Sequence, residues 1–399
     1  MRKVTIIAAA AAAITLSLSA CATPGTGEGE GSTDEVIKVG VVISLSGPGS
    51  TYGIAGEQTL KLLAEKHNES DATPKVELSF VDDESQAAKA LTSARSLLND
   101  GADIILGGSI SAVGVPLGEA MQADGIPYIA TAVDQRITEP TPGNINSFVF
   151  QTPESQALNV AAMLDFAESE GIEKVAMVYD STALGQGAFA ILSEEAPKRD
   201  IEVVAGEAIE AEAGAAVPQL VKSRDAGAEL LLVYAGHGTA PIIQRDFVGL
   251  GWDVPIIQSS EALSDSFREA AGESAIGVLA PSVRYSIGDM LPDSDPQKAV
   301  IEDWNALADA ELGGAAIEQI YYWDAWAILA AGLEGLDALD SYESQEDLRL
   351  AFTESVASIK DLVGLVGIRS FSPTDHRGLS ATGTMELVRL TDDGIELVD

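Results

Sequence analysis

An α/β architecture of two doubly wound parallel-sheet domains is what this 399-residue sequence predicts. Three observations lead there. Apolar, β-branched runs alternate with segments of helical periodicity from residue 36 to about residue 280. Strands buried on both faces read as continuous apolar runs, and strand–helix alternation yields an open parallel sheet with right-handed crossovers. The alternation starts afresh after residue 151, dividing it into two units of similar size. Loops of small and hydroxyl-bearing residues recur where strands run into helices, which is the end of such a sheet at which ligands bind.

The elements follow in order. VIKVGVVI at 36–43 is the first strand, and 52–68 is a helix with Leu60, Leu63 and Ala64 on one side. Strand 76–81, helix 85–98 (Ala88, Leu91, Ala94 and Leu98 in register), strand 103–106, helix 115–123 and strands 126–129 and 148–151 complete the first unit. In the second unit, helices 154–169, 185–198, 216–226 and 239–249 alternate with strands 175–179, 201–208, 230–234 and 254–258, and 277–280 adds a strand. Helices at 297–311, 317–333 and 344–357 come next, and strands 384–390 and 395–398 flank the turn signal Asp393-Gly394. In Tyr321-Tyr322-Trp323-Asp324-Ala325-Trp326, helical spacing puts Tyr322 and Trp326 on one face with Leu329, a core pattern, while Tyr321 or Gln319 could reach a cleft mouth.

The segment before residue 36 is of another kind. Arg2-Lys3, the apolar stretch 4–18 and Ser19-Ala20-Cys21 have the three parts of a secretory signal. Leu18-Ser19-Ala20-Cys21 also resembles the bacterial lipobox, so residues 1–20 read as a leader and Cys21, the one cysteine, as a lipidated first residue. The alternatives are a transmembrane anchor, for which the run is short and holds Thr5, Thr15, Ser17 and Ser19, and a free thiol. Residues 21–35, rich in Gly, Thr, Ser and Glu, read as a flexible tether. The expected location is extracytoplasmic, at the membrane through lipid alone.

With 23 basic and 62 acidic residues the formal charge is −39, which argues against nucleic acid and against electrostatic docking on anionic lipid. A hydrophobic content of 46% argues against disorder. The enzyme signatures are missing: no G-x-S-x-G, no H-E-x-x-H, no P-loop, no G-x-G-x-x-G. His67, His237 and His376 lie too far apart in sequence for a metal motif, and no cofactor is expected.

The loop Ser44-Leu45-Ser46-Gly47-Pro48 before Tyr52-Gly53 exposes N–H groups and hydroxyls at a helix start, which suits a carboxylate or is an ordinary turn. Gly107-Gly108-Ser109-Ile110-Ser111 and Ala130-Thr131-Ala132-Val133-Asp134 repeat the pattern. Together with Val81-Asp82-Asp83, Ile126-Pro127, Phe150-Gln151-Thr152, Asp180 followed by Gly185-Gln186-Gly187, and Gly378 and Gly383 near the end, these landmarks mark a family. Over 36–399 the chain resembles the type I periplasmic solute-binding proteins of ABC transporters, the leucine/isoleucine/valine-binding branch.

The resemblance implies two domains joined by a three-stranded hinge. The crossings are expected near 148–152, 281–284 and 367–372, with domain I comprising 36–149 and 284–370 and domain II comprising 150–283 and 371–399. It also implies a ligand site. Ser111 would hold the ligand carboxylate, helped by Ser46 and Ser109; the backbone of Ala132 and the acid Glu261 would hold the ammonium; Tyr52 and Tyr234 would be aromatic walls. Three positions depart from the family pattern. Asp134 replaces a Thr or Ser, and is either an extra cleft carboxylate or a helix cap and partner for Arg136. Leu184 replaces a tyrosine. His237, in Gly236-His237-Gly238, replaces an aromatic, and is either a cleft residue or an exposed turn histidine. The expected role is capture of an amino acid or similar small polar solute by a monomer that delivers it to a membrane permease. A ligand sensor of the same fold, and a cell-surface hydrolase on a similar scaffold, are the alternatives.

Overall fold

The computed structural model describes residues 36–398 except 142, 212, 237, 380–383 and 393. The leader, the tether, Cys21, His237 and Gly383 thus lie outside the described residues.

The first sheet is built from β1 (Val36–Ile43), β2 (Lys75–Asp82), β3 (Ile104–Gly107), β4 (Tyr128–Ala130) and β5 (Val149–Gln151), in the order β2-β1-β3-β4-β5. Every pair in it is parallel. Val39, Val41, Val42 and Ile43 of β1 are fully buried because helices cover both faces. Each such side chain contributes about 1.5–3 kcal/mol. The crossovers are α1 (Ser50–Glu69), α2 (Ala87–Asn99) and α3 (Ser111–Asp124), the last closed by Gly125 in the left-handed conformation at φ 66°. α3 begins four residues before the periodicity predicts, because Ser109-Ile110-Ser111-Ala112 carries no apolar stripe to announce a helix.

The second domain opens at α4 (Gln156–Ser169), capped by Ser155, whose Oγ accepts from the Leu158 N–H at 3.2 Å. There follow β6 (Lys174–Asp180), α5 (Ala183–Glu195), β7 (Glu202–Ile209), α6 (Val217–Asp225), β8 (Leu230–Tyr234), α7 (Ala240–Leu250), β9 (Ile256–Gln258), α8 (Asp265–Ala271) and β10 (Leu279–Val283). α8 was not legible in the sequence: seven residues are too few for a periodic signal. The chain then forms α9 (Pro296–Glu311), α10 (Ile320–Glu334) and α11 (Gln345–Ser358). These pack on the first sheet, where Trp304, Tyr322, Ile328, Phe352 and Val356 share a core with Val39, Leu60 and Ile104. A short hairpin, β11 (Leu362–Val363) and β12 (Ile368–Arg369), precedes β13 (Met385–Leu390) and β14 (Ile395–Leu397), which complete the second sheet in the order β14-β13-β10-β9-β8-β6-β7. β13 and β14 run antiparallel at its edge.

Three passages link the domains: Thr152–Ser155 after β5, the segment after β10, and the segment before β13. The third falls later than the expected 367–372. Phe371 meets Phe150 of β5 edge-on at 5.5 Å, and His376 stacks on the same ring at 4.6 Å, so this stretch stays with the first sheet. Behind the first passage lies a buried latch. Arg369 pairs with Asp324 at 2.9 Å, each side chain 1% exposed, and also donates to the carbonyls of Gln151, Thr152 and Arg377.

Candidate ligand cleft

The carboxyl ends of the two sheets' strands face one another, and α3 of the first domain packs against α5 of the second. Tyr52 lies in the first turn of α1. Gly53 makes that placement possible, since a Cβ there would sit 2.0 Å from the Ser44 carbonyl oxygen. From this position the Tyr52 hydroxyl donates to Glu261 Oε2 at 2.7 Å, joining residues of opposite domains. Glu261 stands in a single helical turn, Ser260–Leu263, directly after β9. Around this pair is a narrow pocket lined by Tyr52, Ile317 and Tyr321 on one side and Ser260, Glu261 and Ser264 on the other. The rings of Tyr52 and Tyr321 are 6.5 Å apart and tilted by 36°.

Behind the pocket is Glu154, fully buried in the first interdomain passage. Its Oε1 accepts from Ser260 Oγ at 3.2 Å and lies 3.5 Å from the Tyr321 hydroxyl. Burial raises the Glu154 carboxyl above its ordinary range. Burial also holds the phenols of Tyr52, Tyr234 and Tyr321 well above theirs, seconded by Glu261 for Tyr52 and by Glu154 for the other two. The site is thus a desolvated, electronegative pocket of tyrosines and carboxylates, with no basic side chain in its lining among the described residues. Its complement is a protonated nitrogen, through charge-assisted hydrogen bonds and contact with ring faces.

The residues singled out in the sequence divide accordingly. Tyr52, Tyr234 and Glu261 meet electrostatically, although Tyr234, at the end of β8 and 2% exposed, is not in the pocket wall. Ser111 is the buried first residue of α3, and its hydroxyl makes no hydrogen bond among the described residues. With the free N–H groups of that helix turn it can hold an anion. Leu184 lies half-buried at the start of α5, its carbonyl accepting from Gln156 Nε2 at 2.5 Å.

Four others have structural duties. Ser46 is exposed, and its hydroxyl donates to Asp82 Oδ2 at 2.8 Å, tying two loops together. Ser109 Oγ accepts from the Ser44 N–H at 3.1 Å and from the Tyr322 hydroxyl at 2.8 Å. The Ala132 carbonyl accepts from Gln151. Asp134 caps the turn Gln135–Ile137, accepting from the Arg136 N–H at 2.9 Å and Nε at 3.0 Å, and from its terminal nitrogen at 2.6 Å. Its carboxylate is engaged as a cap and as the partner of Arg136. Glu154 was missed because an acid opening a helix is ordinary in sequence. Ser260, Ser264 and Ile317 gave no signal at all, and among the described residues no cluster of His, Cys, Asp and Glu could hold a metal ion.

The profile of the periplasmic binding protein family matches residues 36–394. The chain belongs to that family. No curated protein sequence matches it. Among solved structures it is similar to an extracellular ligand-binding receptor from Rhodopseudomonas palustris HaA2, at 23% identity and a TM-score of 0.80, covering 91% of this chain and 99% of that one. It is also similar to a leucine-binding protein from Thermotoga maritima at 16% identity and a TM-score of 0.74 (91% and 98% covered). A third is an ABC-transporter solute-binding protein from Rhodopseudomonas palustris BisB5 bound to 3,4-dihydroxybenzoic acid, at 19% identity and a TM-score of 0.70 (91% and 96% covered). At these identities the likeness is one of fold: the type I periplasmic binding protein architecture. Membership makes the chain a ligand-binding protein of the extracytoplasmic space. No described helix is long and apolar enough to cross a membrane.

Proposed function

We propose that this periplasmic binding protein captures an amino acid, or a similar small polar solute with a protonated nitrogen, between its two domains and delivers it to the permease of an ABC importer. Cys21, lipidated after loss of residues 1–20, would tether it beside that permease; the linker 22–35 spans roughly 20 Å as a flexible coil. The observation that carries the reading is the Tyr52–Glu261 hydrogen bond across the cleft, at 2.7 Å, in a pocket whose lining brings together an acid, hydroxyls and aromatic rings. A ligand ammonium takes the place of the Tyr52 hydroxyl on Glu261, while Ser111 and the N-terminus of α3 receive a carboxylate. Hinge motion through the three passages would close the domains on it.

The test is thermal shift of the full chain against an amino-acid, amide and small-acid panel. A ligand at 100 times its Kd adds about 2.7 kcal/mol. Glu261→Ala should remove the shift given by the amino acids that stabilise the wild type, and leave the ligand-free melting temperature nearly unchanged. An undiminished shift in that variant would refute the site. Cys21→Ser should move the mature protein from the membrane to the soluble fraction of its host.

A further inference from the structure

We propose that Glu154 is a second acid of this pocket, and that the cargo is an organic cation with N–H donors on more than one side, as a guanidinium or a diamine has. The proposal rests on the Glu261 site above and sharpens its ligand class.

The first ground is how buried acids are otherwise settled in this protein. Asp324 has Arg369 and the N–H groups of Leu365 and Val366. Asp134 has Arg136. Asp180 accepts from the N–H groups of Gly236, Thr182 and Gly185. Glu154 is as buried as these, yet it meets only neutral donors, the hydroxyls of Ser260 and Tyr321, the Asn159 amide and its own backbone N–H, and its Oε2 has no hydrogen-bond partner among the described residues. A carboxylate in such a place costs several kcal/mol unless it is neutralised.

The second ground is position. Ser260 and Tyr321 line the pocket, so the Glu154 carboxyl forms its floor, one residue along from Glu261 through Ser260. The groups facing it are Tyr321 of α10, Tyr234 of β8, Ser260 and Glu261 of the turn after β9, and Asn159 of α4. Each is neutral or acidic, so Glu154 has no cation of its own among the described residues. Burial raises the affinity of its carboxyl for a proton. A ligand bearing one ammonium satisfies Glu261; one bearing a further cationic N–H face also displaces the proton from Glu154.

Isothermal titration of the full chain with L-leucine, L-arginine and putrescine, in two buffers of different ionisation heat at pH 7, decides it. The expected result is tighter binding of arginine or putrescine than of leucine, with a proton released to buffer. Glu154→Gln, which keeps the shape, should lose at least tenfold in affinity for that cation together with the proton release. Ser260→Ala, which removes one hydroxyl contact to Oε1 and keeps the carboxyl, should lose less. Unchanged cation affinity in Glu154→Gln overturns the second acid while leaving the Glu261 site standing. Leucine binding more tightly than both cations overturns the ligand class. Equal binding by wild type and Glu261→Gln, or no binding by any of the three probes, overturns this proposal, and the former overturns the underlying site as well. Should Glu154→Gln fail to fold, Glu154→Asp, which withdraws the charge by one methylene, replaces it under the same criteria.

Discussion

Replacing Arg369 by Met tests the energetics of the interdomain passages. The guanidinium spans Asp324, at 2.9 Å and 3.3 Å, and the carbonyls of Gln151, at 3.2 Å, Arg377, at 2.8 Å, and Thr152. Met fills the apolar volume of the stem but leaves the Asp324 carboxylate buried with two backbone N–H donors, at 2.7 Å and 3.3 Å, and strands three carbonyls. Breaking a buried pair by removing one partner costs about 3–5 kcal/mol. At about 2 °C per kcal/mol, appropriate to a chain of this size, the melting temperature should fall by roughly 6–10 °C. Removing both charges, as in Arg369→Met with Asp324→Leu, should recover a good part of that loss, because no uncompensated charge remains. The loss also has a pH signature. Burial already raises the Asp324 carboxyl, and without Arg369 it rises further. A folded-state pKa above the unfolded value contributes stability at low pH that is lost as pH rises past the unfolded value, near 4. The gap between variant and wild type should therefore narrow as pH is lowered towards 4. Melting by circular dichroism at pH 4.5 and 7.5 reads both effects. A single variant within 2 °C of wild type at pH 7.5, or a double variant no better than the single, would refute the latch.

Three further outcomes are expected. Gly53→Ala puts a Cβ 2.0 Å from the Ser44 carbonyl oxygen, and should lower the melting temperature by several degrees and weaken ligand shifts through the displaced Tyr52; Gly249→Ala, with nothing within 4 Å, should be neutral or slightly stabilising. Asp134→Asn loses the charge opposite Arg136, whose side chain is 47% exposed, and should cost at most about 1 kcal/mol with ligand affinity unchanged by titration; a tenfold loss of affinity would restore Asp134 to the cleft. His376 is buried and its pKa is held below the usual 6.5 by desolvation, so the unfolded chain takes up the proton first. Stability should be full above about pH 6.5 and fall as pH drops through that value, and His376→Gln should flatten this part of a urea-midpoint profile.

Most of the elements were legible because their signals are local. The run 36–43 is β1 to the residue, and the periodicity of 344–357 places α11 within one residue at each end. What escaped was short or polar: α8, and the first turn of α3. In the cleft, Glu261 and Tyr52 came forward through resemblance to a family. Ser46 and Ser109 came forward too, and their hydroxyls bond Asp82, Ser44 and Tyr322; a hydroxyl on a strand-end loop has the same sequence signature whether it meets a ligand or a neighbouring loop. Asp134 and Glu154 illustrate the same point. Residue type and spacing carry no record of whether an arginine lies two residues away in reach, as Arg136 does, or whether a carboxyl is sealed among tyrosines from distant elements.

The sequence by itself therefore determined the alternation of strands and helices, the division into two α/β units and the acidic character of the chain, since these follow from hydrophobic period and composition. The tertiary structure alone decided that Tyr52 would meet Glu261, 209 residues away, and that the buried Glu154 would lie beside them, bonded to Ser260. The physical reason is desolvation. The worth of each polar group is set by which others reach it once water has gone, and that is a property of packing between segments far apart in the chain.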